Sequence, residues 1–365
     1  MANKLSKKIL IAPLDWGLGH ASRCIPLINH LQKGGCEIII ATDGAQLSLL
    51  KQEFPGLEFI QLKGYNVNYS KRKRLFGAKI LWQIPKILLT IRREHEWLQK
   101  TIIDRKIDLV ISDNRYGLYN NKIPCIFITH QLNVKAPFKK VEYEMQKMNY
   151  RFINRFTECW VPDFEGEKNI AGQLSHPTKM PAIKTRYIGP LSRFKNLPTA
   201  ASFYKYFFVL SGPEPQRTLL EQAVFKIIPQ LNGKVLVVRG RPNEEKQPPK
   251  VGDALIRNHL TTETMQQAFL QSEYIISRSG YTTVMELLSL EKKSILIPTP
   301  GQTEQEYLAN RLMRQQWCYY CQQDDDLLQH ISNAEKFNYH LPELDAPLYE
   351  KILDEFLDSF SNLSS

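Results

Sequence analysis

The sequence has no apolar run long enough to cross a bilayer. Its start, Met1 to Lys8, lacks the apolar core and small-residue cleavage site of a secretory leader. Neither a membrane span nor export is therefore expected, and the chain is placed in the cytoplasm. Cysteine is sparse: Cys24, Cys36, Cys125, Cys159, Cys318 and Cys321 are scattered, mostly in apolar surroundings. That usage fits reduced core thiols and excludes a disulfide framework. Cys318 and Cys321 form a C-x-x-C, but in a strand-like stretch where positions three apart face opposite sides, so no zinc or redox site is read there. Zinc-finger, helix-turn-helix and RNA-binding aromatic signatures are missing, which excludes nucleic acid as partner. Carboxylates cluster only at Asp324-Asp325-Asp326, ahead of a helix from Leu327 to Ala334 whose dipole they suit, and no metal is expected. No internal repeat or low-complexity tract occurs.

What is present is a chain of 365 residues, 43% hydrophobic and 23% charged, enough for two packed domains. The net charge of +11 points to an anionic partner such as a phosphorylated substrate or an acidic membrane face. Strand and helix patterns alternate in the first half: strands Lys8 to Leu14, Cys36 to Ala41, Leu57 to Leu62, Asp108 to Ser112 and Cys125 to Thr129, with helices His20 to Lys33, Asp43 to Phe54 and Tyr143 to Phe156. Short strands follow at Glu158 to Val161 and Arg186 to Ile188. The pattern lapses from Gly189 to Phe203, a linker, and a second alternating series begins at Tyr206. Such alternation predicts an α/β protein of two doubly wound, Rossmann-like domains with a ligand cleft between them. The last stretch, Leu348 to Phe360, is amphipathic and helical. Between the strands, Lys71 to Leu89 joins a basic cluster to an apolar stretch with Trp82, the composition of a contact with an anionic membrane surface. A solvated charge run before a core helix would look the same.

One unit of the second half carries chemistry. A buried strand at Tyr274 to Ser277 runs into Arg278-Ser279-Gly280-Tyr281-Thr282-Thr283, a small-residue turn that opens a helix. A strand from Ser294 to Pro298 follows, then a polar loop with Gly301, Gln302, Glu304 and Gln305. Small residues let a phosphate approach the backbone, and the first-turn N–H groups with the helix dipole hold its charge. Glu286, farther along the helix, is placed to accept hydrogen bonds from ribose hydroxyls, as acidic residues do at other nucleotide sites. This is a grip for a nucleotide diphosphate without a Walker lysine.

The segment from Asn258 to Arg311 resembles the C-terminal domain of family 28 glycosyltransferases, whose best-known member makes the lipid-linked peptidoglycan precursor. Gly17-Leu18-Gly19-His20-Ala21-Ser22-Arg23, just after the first strand, resembles the superfamily's glycine-rich first loop. The resemblance implies the GT-B fold. Residues 1–190 would bind the acceptor, 191–345 the nucleotide sugar, and 346–365 would form a helix packing back on the first domain. It further implies that Ser279, Gly280, Thr282 and Thr283 lie at the diphosphate of a UDP-linked sugar and that Ser211-Gly212 form a phosphate loop. Met265 would lie near the base, and Gln305 and Glu306 would touch sugar hydroxyls. No cofactor beyond this substrate is implied.

Transfer requires stabilisation of the leaving diphosphate and a base for the acceptor hydroxyl. Arg278 and Arg217 are candidates for the first, each also readable as a structural arginine. His20 is the candidate base, since a pKa near 6.5 suits proton abstraction at neutral pH. Asp113, closing the strand from Asp108, would orient its imidazole. A helix-capping histidine and a turn aspartate are the plain alternatives. Asp15 is a second candidate base, Gly17 and Gly19 shape its loop, and His130 lies at the corresponding edge toward the acceptor. Two other functions fit this sequence. One is a UDP-sugar hydrolase, because the G-x-G-H-x-x-R form also resembles the hydrolase of pseudaminic acid synthesis. The other is a non-catalytic nucleotide-sugar-binding protein.

Overall fold

The computed structural model describes residues 7–65, 76–135, 138–195, 197 and 202–362, with the backbone alone for 76–82 and 360–362. The basic cluster Lys71-Arg72-Lys73-Arg74 lies outside the described residues. The chain divides into two compact units, one of residues 1–66, 84–191 and 345–365, the other of 67–83 and 192–344.

Unit 1 contains seven parallel strands among the described residues: β1 (Lys8–Pro13), β2 (Glu37–Thr42), β3 (Glu58–Gln61), β4 (Leu109–Asp113), β5 (Cys125–Ile128), β6 (Glu158–Val161) and β7 (Lys184–Tyr187). Their order is β3-β2-β1-β4-β5-β6-β7. Helices α1 (Leu18–Lys33), α2 (Gly44–Glu53), α3 (Phe76–Arg105) and α4 (Lys139–Ile153) complete the crossovers. β1 reads as an unbroken apolar run because both its faces are covered; Ile9, Leu10 and Ile11 are fully buried. The strand order reverses between β1 and β4, whose C-terminal residues Pro13 and Asp113 lie side by side. In an open α/β sheet that reversal is where a ligand crevice forms.

Unit 2 repeats the plan with β8 (Tyr204–Val209), α5 (Gln216–Ile227), β9 (Val235–Val238), β10 (Leu255–Arg257), α6 (Thr262–Leu270), β11 (Ser272–Ser277), α7 (Tyr281–Ser289), β12 (Lys293–Leu296), α8 (Thr303–Arg314), β13 (Tyr319–Tyr320) and α9 (Leu327–Glu335). The strand order is β10-β9-β8-β11-β12-β13, all parallel, with the reversal between β8 and β11. Tyr206, Phe208, Val237, Ile276 and Ile295 form part of its core. The triple aspartate starts α9, with Asp326 accepting from the Gln329 amide as its cap. Cys318 and Cys321 are buried free thiols flanking β13, and burial pushes the Cys321 thiol up to about 12.

The final helix, α10 (Tyr349–Asn362), belongs to unit 1. Tyr349, Ile352, Leu353 and Phe356 recur at helical spacing and are buried. Phe356 meets Trp160 edge-on with ring centroids 5.7 Å apart. His30 on α1 contacts Asp354 at 2.7 Å, and Lys7 donates to the Leu357 carbonyl at 2.9 Å. The returning chain crosses so close to Gly189 that a Cβ there would stand 2.8 Å from Pro347 Cα, and Gly189 has φ +73°. No helix among the described residues is long and apolar enough to cross a membrane.

Candidate functional site

The strand reversal of unit 1 gathers four of the chain's polar side chains. Gly17, with φ +129°, precedes α1 in a conformation that L side chains rarely adopt. This brings His20 into the first turn of α1 and Arg23 one turn later on the same face. Asp113 closes β4, and His130 follows β5. His20 Nδ1 lies 3.0 Å from Asp113 Oδ2. Arg23 is 2% exposed, and its Nε donates to both Asp113 oxygens at 2.9 Å. Arg23 Nη2 donates to Asp113 Oδ1, and Nη1 lies 3.1 Å from His130 Nδ1.

These contacts assign the protons. Arg23 Nη2 also stands 2.9 Å from His20 Nδ1, so that nitrogen faces one obligate acceptor and one obligate donor. A lone pair there would face the ionised Asp113 oxygen, whereas an Nδ1 proton gives that oxygen a charge-assisted hydrogen bond, the stronger of the two pairings. We assign the His20 proton to Nδ1, which leaves Nε2 basic. Burial, then the Arg23 cation, lowers the His20 pKa below its ordinary value, against the opposing pull of Asp113. For Asp113, burial alone would raise the carboxyl, but Arg23 and His20 outweigh it and hold it below the usual range.

Asp15 is turned to another task. Its Oδ1 accepts from the Tyr65 amide at 3.0 Å, and a Cβ on Gly64 would overlap its carboxylate. The loop it joins is pinned by a buried ion pair, Arg115 Nε to Glu94 Oε1 at 2.8 Å. Arg115 also donates to the carbonyls of Pro13 and Lys63, and Tyr65 donates to Glu94 at 2.8 Å. Asp15, which sequence reasoning offered as a second base, therefore anchors the loop leaving β1.

The reversal in unit 2 is built differently. α7 begins at Gly280 with no side-chain cap, and a Cβ on Gly280 would meet nothing within 4 Å. Across from it, Ser211-Gly212 follows β8, with Gly212 at φ +104°. A Cβ on Gly212 would stand 3.5 Å from Thr299 Oγ1 and 3.7 Å from Arg278 Nε. Both atoms are buried and lack a hydrogen-bond partner among the described residues. Buried donors left without partners are costly, so two converging beside a glycine mark a place for an oxygen ligand. The rest of Arg278 is structural: it donates to the carbonyls of Ile297, Pro298 and Gln216. Burial lowers its guanidinium to about 10, so it stays charged at neutral pH.

The remaining donor-side residues sort by what holds them. Ser279 Oγ donates to the Gln305 carbonyl at 2.9 Å, and Gln305 Oε1 accepts from the Thr299 amide at 2.8 Å. Glu306 accepts from the Gly301 amide at 3.3 Å. Gln305 and Glu306 thus shape the loop before α8. Thr282 and Met265 are buried, while Thr283 is half-buried. Glu286 is 4% exposed and accepts from Arg193 Nε at 2.8 Å. Burial raises its carboxyl while Arg193 opposes. Arg217 is held by bonds to Glu214 at 2.7 Å, Glu221 at 2.9 Å, Thr218 and the Arg239 carbonyl. It is a buried cross-link, which agrees with the structural alternative of its sequence reading. No cluster among the described residues could hold a metal ion.

Sequence reasoning missed Arg23 and Arg193. Arg23 was legible in part, since it lies one helical turn from His20. Arg193 sits in the stretch read as linker, and nothing local pairs it with Glu286.

Residues 207–340 match the glycosyltransferase family 28 C-terminal domain. The chain is 24% identical over 321 residues to an uncharacterized glycosyltransferase of Methanosarcina acetivorans, covering 82% of this chain and 79% of that one. It is 24% identical over 300 residues to the UDP-N-acetylglucosamine–N-acetylmuramyl-(pentapeptide) pyrophosphoryl-undecaprenol N-acetylglucosamine transferase of Clostridium tetani, with coverages of 80% and 78%. Among solved structures, the glycosyltransferase of kitacinnamycin superposes with a TM-score of 0.62 at 13% identity, covering 97% of this chain and 95% of that one.

Proposed function

From the premise that this chain is a GT-B glycosyltransferase whose second unit carries a family 28 C-terminal domain, we propose that it transfers a sugar from a UDP-linked donor to a hydroxyl acceptor. Unit 2 holds the donor. Its diphosphate oxygens take the uncapped start of α7 and the donors Arg278 Nε and Thr299 Oγ1 beside Gly212. Glu286 takes the ribose hydroxyls, moving from Arg193 to do so. Unit 1 supplies the base. The acceptor oxygen attacks the anomeric carbon, the bond from that carbon to the diphosphate breaks, and the acceptor's proton passes to His20 Nε2. Asp113 stabilises the imidazolium that forms. The configuration inverts in one displacement.

The observation that carries this reading is the convergence of two partnerless buried side-chain atoms, Arg278 Nε and Thr299 Oγ1, beside Gly212 at the strand reversal of unit 2. N-acetylglucosamine on a lipid-linked acceptor is the first combination to try, because relatives act on them. An acceptor at the inner face of a membrane agrees with the charge of +11 and with Leu88 and Leu89, 42% and 48% exposed on α3. Flotation with anionic liposomes at low salt tests the membrane contact; a protein that stays at the bottom rules it out.

The reaction is tested with a panel of UDP-sugars, with and without lipid and sugar acceptors. UDP release that accelerates with an acceptor is the expected result. Full-rate release without any acceptor would make the protein a hydrolase, and binding without turnover would make it a binding protein.

A further inference from the structure

Arg23 touches every other member of the constellation in unit 1. It grips Asp113 through Nε and Nη2, reaches His130 Nδ1 at 3.1 Å and stands 2.9 Å from His20 Nδ1. A guanidinium only donates and an ionised carboxylate only accepts. The two histidines therefore meet the ion pair differently: His20 Nδ1 faces both Asp113 and Arg23, whereas His130 Nδ1 faces the guanidinium. Asp113 demands a proton on His20 Nδ1. Arg23 demands a lone pair on His130 Nδ1, which sends that ring's proton to Nε2.

We propose that Arg23 is a positioning residue for sugar transfer, which holds the two histidines in opposite tautomers, His20 with a basic Nε2 and His130 with a protonated one. His20 becomes the proton acceptor of the site and His130 a hydrogen-bond donor. A lysine in place of Arg23 would bring positive charge without the planar fork that serves two partners at once. The groups facing His20 are Arg23 on its own helix, Asp113 at the end of β4 and His130 beyond β5. Cys24 lies beside Arg23 and Asp113 as a buried thiol, its pKa pushed well up mainly by burial. Among these, Arg23 is the permanent cation that opposes a second positive charge on His20.

The proposal rests on His20 as the base, but its test does not require turnover. In the full chain labelled with 15N-histidine, NMR reports which ring nitrogen carries the proton, with His20→Asn and His130→Asn used to assign the signals. At pH 7 the expected pattern is a proton on Nδ1 of His20 and on Nε2 of His130. The same tautomer on both rings, or a cationic His130, would overturn the proposal without any variant of Arg23. In Arg23→Gln, checked for folding by circular dichroism, the titration midpoint of His20 moves up from its wild-type position. Arg23→Lys keeps the charge and holds the midpoint near the wild-type value, while His130 loses its fixed tautomer. An unmoved His20 midpoint in the glutamine variant would reduce Arg23 to a packing residue. If no UDP-sugar is turned over, these spectra remain readable, so the two ideas fail separately.

Discussion

The two strand reversals share a topology and differ in how their polar groups are used. In unit 1, His20, Arg23, Asp113 and His130 contact one another. In unit 2 the start of α7 has no side-chain cap, and Arg278 Nε and Thr299 Oγ1 lack partners among the described residues. The first arrangement is complete in the free protein and fixes where a proton sits. The second leaves two buried side-chain atoms without partners, which the proposed function gives to an anion. The difference teaches that one fold serves either purpose, and that the side chains at the reversal decide between them.

The sharpest way to break that comparison is to remove the base. His20→Ala should lower kcat by about 100- to 10,000-fold with little change in donor affinity, read from initial rates of UDP release. Rates near wild type would show that the unit 1 constellation is structural. Asp113→Asn leaves Arg23 buried without its counter-ion, which should cost about 3–5 kcal/mol of folding stability in a denaturant titration. A far smaller loss would mean that the site is wetter than its burial implies.

Unit 2 should respond in binding instead. Glu286→Ala should weaken UDP binding by about 1–3 kcal/mol, measured by calorimetry. Unchanged affinity would leave Glu286 only its bond to Arg193. Arg217→Met should lose about 1 kcal/mol of stability while leaving UDP affinity where it was, since its bonds are all internal.

The smallest effect is in pH. His20 is held neutral by burial and Arg23, so its folded pKa lies below its unfolded value. Its contribution to stability is full above about pH 6.5 and is lost as pH falls through the folded value. The acid limb of kcat/KM should accordingly fall below pH 6.5. A limb above that value would contradict the assignment.

These contrasts also mark what the sequence could reveal. The strand, turn and helix from Tyr274 to Ser289 were legible because period, small residues and turn chemistry are all local signals. α10 was legible from its apolar stripe. Helix α4 starts at Lys139, ahead of the expected Tyr143, because its apolar spacing weakens there while the backbone continues. The pairings of Arg193 with Glu286 and of Arg23 with His130 span 93 and 107 residues and leave no local trace. Arg217 was ambiguous for another reason: its partners Glu214 and Glu221 lie at helical spacing, but Glu221 is also held by Arg239, 18 residues away and just past β9. The basic stretch from Lys71 retains its sequence reading alone.

The central claim is that unit 2 recognises a diphosphate through groups left open beside Gly212 and the start of α7. Calorimetric titration of the full chain with UDP and with uridine tests it most directly. The account predicts UDP to bind at least about tenfold tighter, a gap of about 1.4 kcal/mol. It also predicts that Gly212→Ala, which places a methyl group against Arg278 and Thr299, removes most of that gap. Equal affinity for UDP and uridine in the wild-type protein would contradict it.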